Sequence, residues 1–410
     1  MARSFLFLQG ICSPFFSRLG AKLRARGHKV TKINFIVGDS IYWDGPVALA
    51  YRGDMGSLPA YYREIYNDNQ VTDIVLFGDC RPVHRPAIEI ARGQGIRIHV
   101  FEEGYFRPYW VTLERDGVNG YSHLPRDPAW YMDTAKKVPQ YDNGYAFKSS
   151  FLTRAVYDVG YHFLDGLNPF LFPGYKSHVP FNSATEYFSY LKRAIRIKKR
   201  ENHDRKSTKC LIEQVATRPF FLVPIQLASD AQIRYHSSFS DTCEFLGLVF
   251  RSFAQNAHGD SRLVVKNHPL DPGFIDYYDV CLKLAKEFGV EGRVVYLETG
   301  HLPTLLGHTS GVITINSTVG GSALIHRRPT IALGRAIYDM AGLTFQGGLA
   351  NFWRARAEPD MRLFRKFRNV VIHTTQINGG FYCRKGNEMA IGNAIESLES
   401  EYSRLEKLNG

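Results

Sequence analysis

Carboxylates stand where two short apolar runs of this chain end. Glu102 and Glu103 close the run IRIHVFEEG, and Asp230 follows the run FLVPIQL. A carboxylate at the tip of a strand can act as a general base or as a nucleophile. Because successive strand residues point to opposite faces, only one of the two glutamates is expected to face a cleft. A solvated acidic turn and an Asp helix cap are the structural alternatives.

The motifs VVKNHP and INSTVGGSAL suit the binding of a phosphate. In the first, His268 can donate a hydrogen bond to a phosphate oxygen while Pro269 fixes the turn. In the second, Ser317 and Thr318 lie where a strand is expected to give way to a helix, whose N-terminal N–H groups form an anion site. A loop histidine beside a turn proline and an ordinary capped helix are the structural alternatives.

Amide and basic side chains near these motifs complete the set of candidate site residues. The loop LFGDCRPVHRPA places Asp79 and His84 among arginines, although it reads equally well as a solvated loop. The candidates for binding a phosphorylated donor are Lys266, His268, Pro269, Asn316, Ser317, Thr318, Gln226 and Gln232. The candidates for binding the anionic group of a donor or an acceptor are Arg81, Arg85, Arg107 and Arg234. No DxD-like or CxxC motif indicates a metal site, so none is predicted.

The elements that must position these residues alternate between short β-rich runs and amphipathic helices. This alternation predicts parallel sheets with crossover helices, in which ligands gather at the carboxyl ends of the strands. We therefore predict an α/β fold with two Rossmann-like domains facing a cleft. By analogy, this is the architecture called GT-B among glycosyltransferases. The predicted boundaries are an N-terminal α/β domain at 1–125, a basic and aromatic connecting region at 126–215, a second α/β domain at 216–345, and a segment at 346–410 that packs back on the first domain.

Composition narrows the class of partner. The formal net charge of +12 favours an anionic partner, which includes nucleic acid, an acidic membrane face and anionic substrates. No nucleic-acid recognition motif is evident. Six cysteines without metal-ligand spacing indicate reduced thiols and a cytoplasmic protein, and no apolar stretch reaches the ~20 residues of a membrane span. The basic run 191–206 is the candidate contact with a membrane surface, and a solvated helix face is its alternative.

Several motifs together resemble one family. The chain is similar, over nearly its whole length, to the capsular polysaccharide β-Kdo transferase family of the KpsS/LipB type, where Kdo is 3-deoxy-D-manno-oct-2-ulosonic acid. The motifs that carry the resemblance are FGDCRPVHRPA, FEEGYFRP, VNGYSHLPRDP, QLASDAQIRYHSSF, VVKNHP and INSTVGGSALIHRRP. The stretch from about 135 to 210 matches least.

The resemblance implies a retaining glycosyltransferase that uses CMP-β-Kdo and needs no cofactor. Its acceptor would be a lysophosphatidylglycerol-type lipid at the inner membrane, to which it adds the first Kdo of the linker of capsular polysaccharide. A companion two-module enzyme would extend the linker, and an ABC transporter would export the product. The enzyme would be cytoplasmic and peripherally attached to the membrane.

The resemblance also implies roles for individual residues. Asp230 would form a covalent sugar adduct, and either Glu102 or Glu103 would deprotonate the acceptor hydroxyl. The residues that match motifs contacting the CMP phosphate are His268, Pro269, Ser317 and Thr318. Two alternatives are a non-catalytic export or scaffold protein and a related transferase for another CMP-linked acidic sugar, such as sialic acid.

Overall fold

A computed structural model describes residues 2–141, 144–176, 183–227, 231–355 and 357–409 of the chain. These residues form two compact units. The first unit comprises Met1–Leu124, Thr134–Pro180 and Asn369–Gly410, and the second comprises Pro125–Asp133 and Phe181–Arg368. The range predicted as a connecting region is thus shared between the two units. Of the predicted last segment, 346–410, residues 369–410 belong to the first unit and residues 346–368 to the second.

Strands and helices alternate along the described residues. The strands are β1 (Ser4–Phe7), β2 (Lys29–Asn34), β3 (Ala48–Ala50), β4 (Asp73–Phe77), β5 (Arg97–Glu103), β6 (Trp110–Arg115), β7 (Phe220–Pro224), β8 (Arg262–Lys266), β9 (Val294–Leu297), β10 (Gly311–Thr314), β11 (Thr330–Ala332) and β12 (Gln376–Asn378). The helices are α1 (Phe15–Ala25), α2 (Val37–Ile41), α3 (Leu58–Asp68), α4 (His84–Gly93), α5 (Pro128–Thr134), α6 (Phe151–His162), α7 (Asn168–Leu171), α8 (Ser183–Glu213), α9 (Ala231–His236), α10 (Thr242–Asn256), α11 (Tyr277–Glu287), α12 (Leu302–His308), α13 (Thr318–Ile325), α14 (Leu349–Phe352), α15 (Met361–Thr375), α16 (Arg384–Glu399) and α17 (Glu406–Asn409).

Each unit contains one twisted sheet with Rossmann strand order. The first sheet has the order β12-β6-β5-β4-β1-β2-β3. In it, β6 runs antiparallel to both of its neighbours, β5 and β12, and the other described pairs are parallel. The second sheet has the order β11-β10-β7-β8-β9 and is parallel throughout. In both sheets the strand order reverses beside the first strand, between β1 and β4 and between β7 and β10. The prediction of two Rossmann-like α/β units is confirmed.

Uninterrupted apolar runs form the central strands because helices cover both faces of a parallel sheet. All residues of β1, β4, β7, β8 and β10 are buried. Alternate residues enter different core clusters: Phe5 and Phe7 pack in the cluster that includes α1 and α16 residues, whereas Leu6 packs in the cluster that includes α3 and α4 residues. In the second unit, the successive residues Phe221 and Leu222 likewise pack in different core clusters. The polar residues that follow these strands are therefore held at a rigid edge.

Among the residues that the structure describes, no helix is both long enough and apolar enough to cross a bilayer.

Candidate active site

The acid pair lies at the carboxyl edge of the first sheet. Glu102 and Glu103 are the last two residues of β5, which pairs in parallel with β4. Gly78 follows β4 with a φ of 70°, and a Cβ added there would lie 3.3 Å from Glu102 Oε2. Glycine at this position therefore lets the loop after β4 pass closely beside the carboxylate.

Glu102 has the properties of a general base. Its Oε1 accepts a hydrogen bond of 2.9 Å from the backbone N–H of Glu103. Burial and the neighbouring carboxylates of Glu103 and Asp79 raise the pKa of Glu102 to about 7, against the opposing effects of that hydrogen bond and of Arg81. A carboxylate with a pKa close to the working pH is well matched to proton abstraction.

Glu103 has a different environment. Its Oε1 lies 3.7 Å from Arg154 Nη2 and accepts a hydrogen bond of 3.4 Å from the Tyr382 hydroxyl. The Arg154 guanidinium also stacks over the Tyr382 ring, 4.6 Å from its centroid. Glu103 thus lies beside a cation from α6, whereas the Glu102 carboxylate accepts the backbone N–H of Glu103. The two acids that the sequence could not distinguish differ in their surroundings.

The arginines predicted to bind acidic groups lie in three different settings. Arg81 is half-buried, donates a 3.0 Å hydrogen bond to Gly10 O and stacks over the Phe77 ring. Arg85 and Arg107 are exposed in the first unit. Arg234 is exposed on α9 of the second unit. Arg81 thus lies at the edge between β1 and β4, where the strand order reverses and α/β proteins bind ligands.

Asp79 and His84 hold the loop after β4 in place. Asp79 is buried and accepts a 2.9 Å hydrogen bond from Val118 N–H, while burial raises its pKa. His84 is buried, and its Nδ1 lies 2.6 Å from Gly78 O. These contacts fix the loop that carries Arg81.

A buried polar network beneath this edge was not anticipated from the sequence. Asp39 accepts hydrogen bonds from the Tyr161 hydroxyl at 2.7 Å and from Gln9 Nε2 at 3.4 Å. Lys32 is buried nearby, donates to its neighbour's carbonyl at 2.8 Å, and has a pKa lowered by burial. The signal in the sequence was the polar residue Gln9 directly after the apolar run FLFL, at the same edge as the acid pair.

A thiol, an imidazole and a carboxylate meet beside α6. Possible ligand atoms of Cys12, Asp158 and His162 all lie within 4.8 Å of one another. However, His162 Nδ1 lies 2.7 Å from Asp165 Oδ2. Burial opposes charge on His162, but hydrogen bonds to Asp165 and Cys12 outweigh it and raise the pKa of His162 to about 10. Without a metal ion, this arrangement is a hydrogen-bonded cluster of a thiol, an imidazole and carboxylates.

In the second unit, the candidate donor motifs follow three adjacent strands. The loop with Gln226 follows β7, the His268 loop follows β8, and Ser317 follows β10. Since β10, β7 and β8 are neighbours in the sheet, the His268 and Ser317 loops leave it about 10 Å apart, on either side of β7. The three motifs therefore share the edge where the strand order of this sheet reverses.

The His268 loop is held in a defined orientation. The backbone N–H of His268 donates to Asn267 Oδ1 at 2.7 Å. The ring atom Nδ1 of His268 accepts from the backbone N–H of Leu270 at 3.1 Å. In the neutral ring the proton is therefore on Nε2, which makes that atom a donor. Lys266 is buried, donates to Asn267 O at 3.0 Å, and has a pKa lowered by burial and by Arg193.

Ser317 is the N-cap of α13. Its hydroxyl accepts a 3.2 Å hydrogen bond from Val319 N–H, and Thr318 begins the helix with an exposed side chain. Asn316 and Gln226 are joined by two hydrogen bonds, from Gln226 Nε2 to Asn316 Oδ1 at 3.0 Å and from Asn316 N–H to Gln226 Oε1 at 3.3 Å. This amide pair ties the loop after β7 to the start of α13.

Two predicted residues cannot be placed in this geometry. Asp230 lies outside the described residues, and so does the side chain of Gln232. The description stops at residue 227, after β7, and resumes at residue 231, where α9 begins. In the sequence, Asp230 therefore lies between β7 and α9.

The chain was compared with known protein families. The profile described as "Capsule polysaccharide biosynthesis protein" matches residues 72–382. The chain belongs to this family. The matched range includes the acid pair, the His268 loop and the Ser317 cap.

Two curated relatives of this capsule family member match most of its length. It is 37% identical over 382 residues to "Capsule polysaccharide export protein KpsS" of Escherichia coli, which covers 93% of this chain and 97% of that protein. It is also 37% identical over 389 residues to "Capsule polysaccharide modification protein LipB" of Neisseria meningitidis serogroup B, covering 93% and 92% of the two chains.

Solved structures are more distant. The β-Kdo 2,7 transferase of Thermosulfurimonas dismutans KpsC is 14% identical, with a TM-score of 0.45, and the match covers 96% of this chain and 99% of that chain. A Staphylococcus aureus MnaA–UDP structure is 12% identical, with a TM-score of 0.33 and 96% of each chain covered.

A buried arginine supports the His268 loop of this capsule family member, and the sequence did not single it out. Arg193 Nη2 donates to His268 O at 2.7 Å, and Nη1 donates to Pro269 O at 3.1 Å and to Asp271 O. Its Nε donates to Glu298 Oε1 at 2.8 Å, and both side chains are almost fully buried. We call these residues the Arg193 clamp. Arg193 comes from the basic run predicted as a membrane contact.

The rest of that run divides between two faces of α8. On the inner face, Arg196 pairs with Asp276 at 3.1 Å, and Arg200 stacks over the Tyr278 ring at 4.0 Å. The exposed basic residues on the outer face are Lys192, Lys198, Lys199, Arg205 and Lys206. Contact between this outer face and a membrane stays a prediction.

Proposed function

We propose that this capsule family member is a retaining β-Kdo glycosyltransferase of GT-B architecture. It uses CMP-β-Kdo to add the first Kdo to a (lyso)phosphatidylglycerol-type lipid, which starts the linker of capsular polysaccharide. The proposal is supported most by one observation: the His268 loop and the Ser317 cap flank β7 at the edge where the second sheet reverses its strand order. Family membership and the motif resemblance supply the sugar and the acceptor.

The geometry of the second unit is suited to a nucleotide phosphate. Crevices outside the carboxyl ends of parallel strands, at the point of order reversal, are where such folds bind nucleotides. His268 Nε2 would donate to a phosphate oxygen, and the N-terminus of α13 would add its N–H groups. These donors would also stabilise the negative charge that grows on CMP as it leaves.

Retention of configuration requires two displacements. In the first, the Asp230 carboxylate would attack the anomeric carbon, and the bond to the phosphate oxygen would break so that CMP leaves with the electron pair. In the second, Glu102 would take the proton of the acceptor hydroxyl, whose oxygen would displace Asp230. We assign the base role to Glu102 because its pKa of about 7 allows it to accept a proton near neutral pH. The scheme needs no metal.

The donor assignment is tested by His268→Ala, with His258→Ala as the matched control. His258 is an exposed histidine of the same unit. Loss of one hydrogen bond to a charged group costs about 1.5–3 kcal/mol, so CMP affinity should fall about 10- to 100-fold in His268→Ala and stay unchanged in His258→Ala. Calorimetry measures CMP binding, and mass spectrometry measures Kdo transfer to lysophosphatidylglycerol. Equal CMP affinity in wild type and His268→Ala would contradict the assignment.

Two further assays separate two other functions. The KpsS relative is named an export protein, and if this chain had a non-catalytic role in export, Glu102→Gln would support full capsule assembly in cells. A transferase for another CMP-linked acidic sugar would prefer CMP-sialic acid to CMP-Kdo in a donor comparison.

The proposed pathway partners are a two-module Kdo-extending enzyme and a capsule ABC transporter, and the proposed location is the cytoplasmic face of the inner membrane.

A further inference from the structure

Helices α6 and α7 of the first unit carry large apolar side chains that are exposed. We call them the α6–α7 apolar face. With their exposed fractions, they are Leu152 (71%), Val156 (60%), Val159 (45%), Phe163 (78%), Leu167 (44%) and Phe170 (81%). The first four are spaced four, three and four residues apart, which places them on one side of a helix. Exposed aromatic groups of this size are unusual on a soluble surface and mark an interaction site.

The opposite side of α6 is fixed to the first unit. The Tyr161 hydroxyl donates to Asp39 at 2.7 Å, and Tyr157 O accepts from the Tyr42 hydroxyl at 2.8 Å. Gly38 of α2 packs so tightly that a Cβ there would lie 2.4 Å from Tyr161 O. Helix α6 therefore cannot turn its apolar face inward without breaking buried hydrogen bonds and this close contact.

The charges around the face fit an anionic lipid surface. Between residues 152 and 171, Asp158 is exposed, and so is 40% of the Arg154 side chain. Lys148 precedes α6, Lys176 follows α7, and both are exposed. An amphipathic helix with apolar and aromatic residues on one side, bordered by lysines, is suited to lie in the interface of a bilayer, where anionic headgroups attract the lysines.

We propose that the α6–α7 apolar face inserts into the surface of an anionic bilayer and is the membrane anchor of this protein. This surface is distinct from the basic run on α8. The same helix carries Arg154, which contacts Glu103, so insertion would place the acid pair one helix width from the lipid headgroups. The role of that placement in presenting a lipid acceptor rests on the proposed function, whereas the anchoring itself does not.

The test compares two double variants of the full chain. Phe163→Ser with Phe170→Ser removes the most exposed aromatic groups of the face. Leu248→Ser with Leu282→Ser is the matched control, because these leucines are 42% and 48% exposed on helices of the second unit. Binding is measured by co-sedimentation with vesicles of phosphatidylglycerol and phosphatidylcholine. Two buried aromatic side chains contribute enough transfer free energy that the first variant should bind about tenfold more weakly or worse, whereas the control should bind like wild type.

Three results would overturn the proposal. The first is vesicle binding by the Phe163/Phe170 variant that equals that of wild type. The second is a wild-type protein that does not bind these vesicles. The third is the finding that the wild type is a dimer and the Phe163/Phe170 variant a monomer, with equal vesicle binding. A second copy of the chain would then cover the face.

A transfer assay with a short-chain, soluble acceptor separates this proposal from the proposed function. An anchor variant that keeps transfer to the soluble acceptor but loses vesicle binding supports both. Vesicle binding that depends on the face, in a protein that transfers no sugar from any donor, supports the anchor and contradicts the proposed function. Sugar transfer by a protein whose vesicle binding does not depend on the α6–α7 apolar face supports the proposed function and contradicts the anchor.

Discussion

Replacing Arg193 by methionine tests whether the Arg193 clamp positions the His268 loop. The substitution removes the guanidinium and leaves the Glu298 carboxylate buried without its cation, with side-chain exposures of 3% for Arg193 and 1% for Glu298 in the intact pair. Removing one partner of a buried ion pair costs about 3–5 kcal/mol. The carbonyls of His268 and Pro269 also lose their donors, so the loop should shift and CMP should bind at least tenfold more weakly.

The matched control is Arg196→Met on the same helix. Arg196 pairs with Asp276 at 3.1 Å, but its side chain is 35% exposed and that of Asp276 is 38% exposed. A pair exposed to this extent contributes less than about 1 kcal/mol. Urea unfolding of the full chain gives the stability change of each variant, and calorimetry gives the CMP affinity. Adding Glu298→Gln to Arg193→Met should restore part of the lost stability, because it removes the uncompensated charge, but should not restore CMP binding.

The loss of stability in Arg193→Met should also depend on pH. Burial by itself raises the pKa of Glu298, but hydrogen bonds from Arg193 and Tyr296 outweigh burial and lower the net pKa below its ordinary value. Stabilisation by the ionised carboxylate is thus fully present above the unfolded-state pKa and is lost as the pH falls through the lowered folded-state pKa. The stability difference between wild type and Arg193→Met should shrink over that acidic window. An unchanged urea midpoint together with unchanged CMP affinity would refute the reasoning, and lost stability with unchanged CMP affinity would leave Arg193 a purely structural role.

Two further predictions concern the acid pair and the helix cap. In the proposed mechanism the carboxylate form of Glu102 is the base, so kcat/KM for transfer should rise with pH through about 7. Glu102→Gln should lower kcat/KM about 10²- to 10⁴-fold and abolish this rise. A pH profile that keeps the rise in Glu102→Gln would exclude Glu102 as its source. Glu103→Gln should reduce activity less and keep the rise. Ser317→Ala should destabilise α13 by about 1 kcal/mol and weaken CMP binding, whereas Ser317→Asn, which can also cap, should keep the stability; thermal unfolding and CMP titration of both variants check this.

Local features of the sequence were enough to predict the two sheets and the places where polar residues leave them. The apolar runs that form β1, β4, β7 and β8 are continuous because these strands are buried on both faces, and this pattern is visible without any tertiary information. Motifs such as VVKNHP and INSTVGGSAL directly follow such runs. Their position at the carboxyl edge therefore follows from the direction of the strands alone.

The tertiary structure decided what surrounds those residues. Arg193 reaches the His268 loop from 75 positions away in the sequence, in a run whose basic character alone suggested a membrane contact. Burial and the nearby carboxylates of Glu103 and Asp79 raise the pKa of Glu102 to about 7, whereas Glu103 lies beside Arg154 of α6. Packing of Tyr161 against Asp39 decides which side of α6 remains exposed. Each of these outcomes depends on contacts between segments far apart in the chain, and the packing of whole elements, rather than any local pattern of residues, determines such contacts.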